Sequence, residues 1–460
     1  MKHTGKRILF VMRSAEFFHY YRTIIVALLE RGHQVRVLTT VKWSKDMELG
    51  AFAEFKEEYP AFSYGWAITR TGVWQKILFH TREILSYRRY AVLGVRQSEY
   101  YESRYLSYLP PLVQKIVTLP VSKPFVKSEF FANVLRFIER SAPSDPAIIA
   151  DIKGYAPDVL IASPVNMRFP SSDLEYLKEA AAMGIPTALP VISWDNLTTK
   201  GLMHAFPDIL LVWNDVQAEE AIQHQSMPRD RIRIIGAPVF DSWFDGHSPS
   251  MSREDFCRNH NLRVQHPIVT YLGSSVHMAE DESWLVAALR KALDESGNAR
   301  LVHTQIIVRP HPGNCRIYEK LKLKDVIILP KEGTLPDGHA SLQLFYDTLF
   351  YSAAAIDGAN TSGIIDSIIV GKPCIAILTD EYRATQQDTQ HFRQLLDADA
   401  LYLAHGAKEF PEVMQRILDG HDERRIKREA FVKKYIRPLG LENTAGRAAA
   451  DEIEKLLSRR

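Results

Sequence analysis

Short apolar runs separated by helix-length amphipathic stretches recur along the chain in two series, and this alternation restricts the fold more than any other feature. The first series opens with the run from Arg7 to Met12 and a helical pattern from Tyr20 to Arg31. It reaches a strand-like Gln34 to Leu38 after Gly32, a residue type that commonly follows a helix C-terminus. Further strand-like runs follow at Val159 to Ala162, Pro186 to Ser193, Ile209 to Val212 and Ile232 to Ile235. Turn-forming residues from Asp245 to Ser250 interrupt the pattern and mark a boundary. A second series then runs through Ile268 to Leu272, Gln305 to Val308, Val326 to Leu329, Ala353 to Ile356 and Cys374 to Ile377. Alternating strands and helices imply parallel sheets covered on both faces. The expectation is an α/β protein of two tandem, doubly wound, Rossmann-like domains, with ligand sites at the carboxyl ends of the strands. The domains are placed at 1–245, with a helical insertion over about 45–150, and at 246–460, ending in helices hinged at Pro438 to Gly440.

The 460 residues exceed what one ordinary core organises, and 46% apolar with 24% charged residues is the balance of a folded globular chain. Cys257, Cys315 and Cys374 are few, odd in number and without metal-ligand spacing, which argues against a disulfide framework or a zinc site and for a reducing compartment. No apolar run approaches the length of a membrane span, and Ile8 to Met12 is too short for a signal peptide. The expected location is the cytoplasm, with peripheral contact at the inner face of the plasma membrane as an extension. Asp397 and Asp399 have an Asp-x-Asp form but sit where a turn is expected before Leu401 to Leu403, so no metal is predicted. Neither a Gly-x-Gly-x-x-Gly loop after the first strand nor a phosphate-binding Gly-x-x-x-x-Gly-Lys-Ser/Thr loop is present, which argues against a dehydrogenase and an NTPase.

The second series carries the chemistry. After the run ending at Ile356, Asn360 or Thr361 is placed to cap a helix whose first N–H groups, with the Thr361 and Ser362 hydroxyls, suit a phosphate. Asp366 lies four residues after Ser362, where a carboxylate suits ribose hydroxyls. Arg309 and His311 close a strand two residues apart beside stiffening prolines, a cation and an imidazole suited to a diphosphate. Ser274 and Ser275 end another strand in a Gly-Ser-Ser turn, which also serves many purely structural turns. On the first domain, His19 or Glu16 follows the first strand and Asp195 ends another; each is a candidate general base, and each also suits an ordinary helix surface or turn.

The run Arg309-Pro310-His311-Pro312, then Asn360-Thr361-Ser362-Gly363 with Gly371-Lys372-Pro373, resembles the donor domain of GT-B glycosyltransferases. Arg31 to Val35, Ser193 to Gly201, Ile235 to Pro238 and Phe431 to Gly440 extend the likeness to most of the chain except 45–150, and it is nearest to the bacterial CDP-glycerol glycerophosphotransferase and surface-polysaccharide transferase group. The resemblance implies a transferase that needs no tightly bound cofactor. Its donor would be a nucleotide sugar or of the CDP-glycerol type, and its acceptor a glycan or a lipid-linked molecule of the cell envelope. It makes Arg309, His311, Thr361, Ser362 and Asp366 donor-nucleotide or diphosphate contacts, with His311 and Arg309 beside the leaving phosphate, while Ser274, Ser275 and Asn360 are donor candidates from their turns alone; many GT-B enzymes have Glu where this chain has Asp366. An epimerase of the UDP-N-acetylglucosamine 2-epimerase type, and a catalytically silent binding protein of the same fold, are the alternatives.

Residues 70 to 140 hold twelve Lys or Arg against five Glu. Trp74, Phe79, Tyr87, Tyr90, Tyr100, Tyr101, Tyr105 and Tyr108 are interleaved there with Arg82, Arg88, Arg89 and Arg104. That mixture suits an anionic membrane surface. Single-stranded nucleic acid is the disfavoured competitor.

Overall fold

The computed structural model describes residues 5–40, 45–93, 96–168, 172–334 and 338–458, with the side chains of 45–51 and 93–99 outside the description. The strands of each series pair in parallel within their own sheet. In the first unit, Met1–Asp241 with Tyr435–Arg460, the strands are β1 (Arg7–Met12), β2 (Gln34–Thr39), β3 (Phe62–Trp66), β4 (Val159–Ser163), β5 (Thr187–Pro190), β6 (Ile209–Val212) and β7 (Ile232–Ile234). Their order is β3-β2-β1-β4-β5-β6-β7. In the second unit, Ser242–Lys434, β8 (Ile268–Leu272), β9 (Gln305–Arg309), β10 (Val326–Ile328), β11 (Ala354–Asp357), β12 (Cys374–Leu378) and β13 (Tyr402–His405) form a sheet of order β10-β9-β8-β11-β12-β13. Every residue of β4, β8, β9 and β12 is buried, whereas the edge strands β7, β10 and β13 are partly exposed. Central strands must be apolar on both faces because helices cover both.

Two boundaries differ from the sequence reading. The expected insertion at about 45–150 begins too early, because α2 (Lys45–Glu58) leads into β3, which pairs with β2 from Val35↔Phe62 to Thr39↔Trp66. The tail, expected in the second domain, lies in the first unit. There the helix Ala445–Ser458 packs on α1 (Phe18–Glu30) and adds Ala449, Ala450 and Ile453 to the core around Ile24 and Leu28. A β-carbon on Gly446 would stand 2.5 Å from the Thr23 carbonyl, so only glycine permits this approach. Asp241 accepts the backbone N–H groups of Ala445 (3.0 Å) and Gly446 (2.8 Å) and pairs with the buried Arg437 at 3.0 Å. It thereby satisfies donors at the helix start that have no partner within the helix.

Between β3 and β4 run α3 (Gly72–Leu93), α4 (Arg96–Ser107), α5 (Pro111–Thr118), α6 (Lys123–Lys127), α7 (Glu129–Ser141) and α8 (Pro146–Tyr155); α9 (Ser172–Ala182) follows β4. The basic and aromatic residues that suggested a membrane surface here are largely internal. Tyr87, Tyr90, Tyr101 and Tyr105 are buried in one cluster. Arg88 donates to the Val126 carbonyl (3.1 Å), and Arg89 to the Thr198 carbonyl (2.8 Å). Arg82 bridges Glu139 at 2.7 Å and Glu175 at 2.5 Å, Arg70 binds Glu175 at 2.6 Å and Glu179 at 3.2 Å, and Lys178 reaches Glu139 at 2.6 Å. Charged side chains enter an interior only when paired in this way. Among the described residues no helix is long and apolar enough to cross a membrane.

Burial alone would raise the Glu139 carboxyl, but Arg82 and Lys178 outweigh it and hold it down at about 2. A depressed carboxyl contributes stability that is present above its unfolded value, near 4.5, and is lost as pH falls toward 2. Glu139→Gln leaves two cations facing an uncharged group, and is expected to cost roughly 3 kcal/mol at neutral pH. It should also shrink the acid-induced loss between pH 4.5 and 2, as read from urea unfolding curves.

Candidate functional site

The order of the second sheet reverses between β8 and β11, and chain ends at such a switch point leave a crevice for a ligand. Register puts Leu272 level with Arg309 on one side and Asp357 on the other. The turns carrying Ser274 and Ser275, Arg309 and His311, and Asn360 to Ser362 therefore leave adjacent strands at one sheet edge. Gly358 keeps the last of these against β8, since a β-carbon there would fall 2.0 Å from the Tyr271 hydroxyl oxygen.

His311 is partly exposed, and its Nδ1 accepts the Gly313 N–H at 3.0 Å. Burial, then the neighbouring His277, lowers its pKa, so the ring is neutral at pH 7 and carries its proton on Nε2. That leaves a neutral donor suited to a phosphate oxygen. Thr361 is half-buried and Ser362 exposed. Ser362, not Asn360 or Thr361, is the N-cap of the helix Gly363–Ile369, without a side-chain cap bond, while the Thr361 hydroxyl accepts the Gly363 N–H at 3.4 Å.

Other expected contacts turn inward. Asn360 has a φ of 119° and is buried, with its amide donating to the Thr385 carbonyl (2.8 Å) and His391 Nε2 (2.9 Å), while its N–H binds Asp357 at 3.0 Å. It shapes the turn and does not face a ligand. Ser274 is buried, and its N–H donates to Glu282, a buried carboxylate that also accepts from Tyr271 (2.8 Å) and Tyr318 (2.9 Å). Ser275 is half-buried, its carbonyl accepting from the N–H groups of Met278 and Ala279.

Arg309 and Asp366 come together around two aromatic residues that the sequence did not single out. Arg309 is buried, stacks on Phe345 with its guanidinium 4.1 Å from the ring centre, and donates to the Thr334 carbonyl at 3.0 Å. Phe345 meets Trp243 edge-on, and Trp243 Nε1 donates to Asp366 Oδ1 at 2.6 Å. The carboxylate expected to meet ribose hydroxyls is thus buried and bound by an indole. Burial pushes it up to about 7, against the pull of Trp243 and Arg309. Asp357 is likewise raised to about 7, mainly by burial.

The first sheet reverses between β1 and β4, where Met12 pairs with Ser163. A cavity of about 30 Å³ lies at this edge, lined among others by Val165, Asn166 and Arg168 after β4 and by Phe79, Arg82 and Glu83 from α3. It holds one or two waters or a single polar substituent. Glu83 is buried, and among the described residues its Oε2 has no hydrogen-bond partner. Burial lifts it to about 7 although Arg168 and Arg13 lie near. Glu83 was missed because one glutamate in a helical pattern carries no signal of its depth.

Of the expected bases, His19 donates from Nδ1 to the Glu16 carbonyl at 2.7 Å, which leaves Nε2 as an acceptor in the neutral ring. Asp195 is occupied by its own turn: Ser193 donates to Oδ1 at 2.5 Å, Thr199 to Oδ2 at 2.7 Å, and Lys200 lies 3.3 Å from Oδ2. Asp399 sits in a left-handed turn and pairs with Arg424 at 2.5 Å. Among the described residues no three His, Cys, Asp or Glu side chains assemble to hold a metal ion.

The two parallel sheets define the GT-B fold, and solved structures share it over essentially the whole chain. A glycosyltransferase from Rickettsia africae ESF-5 is similar with a TM-score of 0.55 at 12% identity, each chain covered completely. The calicheamicin glycosyltransferase CalG4 is similar with a TM-score of 0.52 at 10% identity, with 99% of both chains covered. A UDP-GlcNAc 2-epimerase from Methanocaldococcus jannaschii, solved in complex with UDP-GlcNAc and UDP, is similar with a TM-score of 0.51 at 11% identity over 99% of this chain and 100% of its own. No protein-family model matches the chain, and no curated protein sequence does.

A carboxyl raised in the folded state binds its proton more tightly there than in the unfolded chain, so Asp366 makes stability fall as pH rises from the ordinary value of 3.8 through about 7. A tenfold change in proton affinity corresponds to about 1.4 kcal/mol. Asp366→Asn keeps an oxygen for Trp243 and removes the titration. Urea unfolding at pH 5 and pH 8 should show a smaller difference in the variant than in the parent, with the gain at pH 8.

Proposed function

We propose that the chain is a transferase that moves a glycosyl or glycerophosphoryl group from a nucleotide-activated donor to a hydroxyl of a cell-envelope carbohydrate or its lipid-linked precursor. The observation that carries this reading is the register in the second sheet, which sets Arg309 and the loops bearing His311 and Thr361–Ser362 around one switch point. A neutral Nε2–H donor and a buried guanidinium suit the charge that grows on a departing phosphate. Arg309 stacks on Phe345 and Asp366 is bound by Trp243, so the ribose contact expected of Asp366 passes to exposed groups of the same edge. The cytoplasmic face of the membrane is the setting such an acceptor implies.

In the reaction so read, the acceptor oxygen forms a bond to the donor's anomeric carbon while the bond from that carbon to phosphate breaks, and a nucleoside diphosphate leaves. For a glycerophosphoryl donor the bond forms at phosphorus and a nucleoside monophosphate leaves. The acceptor proton passes to a general base. Glu83 and His19 are the candidates, Glu83 because it is buried at the switch point with an oxygen that has no hydrogen-bond partner among the described residues, and His19 because it lies on the helix that follows the first strand.

Fold neighbours include UDP-GlcNAc 2-epimerases as well as glycosyltransferases, which supports an epimerase as the second reading. Product analysis by NMR with donor alone separates them, since an epimerase needs no acceptor.

A thermal-shift screen against CMP, CDP, UDP, GDP and ADP should give a selective rise with one nucleotide, because a ligand of the native state stabilises it. Arg309→Ala should lose that rise; a full shift in this variant would remove the donor site from this sheet edge. In turnover, Glu83→Gln is expected to lower kcat about 100-fold, within the range of general-base effects. A carboxylate base near pH 7 makes the parent rate fall as pH drops below about 7, and that limb should vanish in Glu83→Gln. Its persistence there, with loss in His19→Asn, would assign the base to His19.

A further inference from the structure

Helix α7 is apolar on two sides. Ala132 and Leu135 face the core beside the paired Glu139, as expected of a packed amphipathic helix. Phe130, Val134 and Phe137 repeat at the same helical spacing on the other side and stand 69%, 41% and 66% exposed. Helix α5 repeats the arrangement, with Val117 buried while Leu112 and Ile116, continued by Leu119 just past its end, are open to solvent. Val121 and Phe125 are also exposed, α6 packs on both α5 and α7, and the Phe125 and Phe130 rings lie 6.5 Å apart. Eight large apolar side chains within 112–137 therefore face water. Scattered exposed apolar residues are ordinary, whereas a contiguous group marks an interaction surface.

Charge selects the occupant. Lys115, Lys123, Lys127 and Arg140 are exposed in the same stretch and, among the described residues, form no ion pair. The one exposed carboxylate, Glu129, is bound by Arg88 and Arg136. A second copy docking through the same patch would set lysines against lysines. We propose that the face formed by α5, α6 and α7 docks on an anionic lipid bilayer, its phenylalanines and leucines entering the headgroup boundary and its lysines meeting the lipid phosphates. Short amphipathic helices with cationic flanks bind bilayers in this way. These residues are distinct from the buried tyrosines and arginines of α3 and α4, and docking requires no particular reaction at either sheet edge.

The test is cosedimentation of the full chain with vesicles of phosphatidylcholine containing phosphatidylglycerol, beside pure phosphatidylcholine vesicles, with size-exclusion chromatography of the free protein. Binding to the anionic vesicles is expected, at least tenfold weaker on pure phosphatidylcholine and at high salt. The triple variants Phe125→Ser/Phe130→Ser/Phe137→Ser and Lys115→Gln/Lys123→Gln/Lys127→Gln should each weaken binding at least tenfold with thermal unfolding unchanged, since all six side chains are exposed. Failure to bind anionic vesicles, equal binding to neutral ones, or full binding by either folded variant would overturn the proposal. So would a dimer in solution that the phenylalanine variant dissociates. Loss of nucleotide binding or of turnover would leave the vesicle result unaltered.

Discussion

The buried ion network of Arg70, Arg82, Glu139, Glu175, Glu179 and Lys178 is the interaction on which most of the first unit depends. It ties α3 and α7 to α9, which packs on β4. Two separate features inherit their geometry from it. Arg82, held by Glu139 and Glu175, lines the same small cavity as Glu83, one residue along α3. The outward stripe of α7 is presented because Glu139, on its inward side, is pinned. Well-packed apolar residues would give comparable stability without a unique register. Fixed donors and acceptors permit one rotation of α7, and rotation decides which of its two apolar stripes meets water.

Parallel register performs the same office at the sheet edges. Leu272 between Arg309 and Asp357, and Met12 beside Ser163, bring residues distant in sequence to a common level before any side chain contact is considered. Loops leaving that level converge, and the buried carboxylates Glu282 and Asp357 brace two of them from beneath through the N–H groups of Ser274 and Asn360. These carboxylates remain in the interior because neutral hydroxyls and amides surround them, so both are pushed toward the protonated form by burial.

Fold class was legible because both signals for it are local. Apolar runs a few residues long, punctuated by helical periodicity, located most of the strands. Arg309 at the end of β9, and His311 and Thr361 just beyond β9 and β11, drew notice in the sequence by the same local signal. Depth was not legible. Arg82 and Arg88 read as surface charge because a paired buried arginine and a solvated one are the same letter, and the pairing carboxylates are remote in sequence: Glu175 lies 93 residues from Arg82. Asn360 read as a ligand contact because a polar residue before a helix is usually a cap, whereas a φ of 119° turns its amide toward His391. The outward stripe of α7 was hidden by the inward one, since a helix apolar on two sides has no single face in its pattern.

The tail shows what local signals omit and what that omission means for assembly. The chain leaves the first unit at Asp241 and returns at Tyr435, so Ser242–Lys434 is continuous while the first unit is made of two segments. Ala449, Ala450 and Ile453 belong to the same buried cluster as Ile8, Phe10, Ile24 and Leu28. Hydrophobic burial of that face of α1 is incomplete until the last segment has arrived, whereas the second unit contains all of its own strands. Asp241 is the residue that closes the gap. It stands at the point of exit, holds the first N–H groups of the returning helix, and neutralises Arg437 at the point of return. Its carboxyl is raised by burial and lowered by these partners. An uncompensated carboxylate at that depth would cost several kcal/mol, which makes the returning segment the condition under which Asp241 is accommodated in the interior.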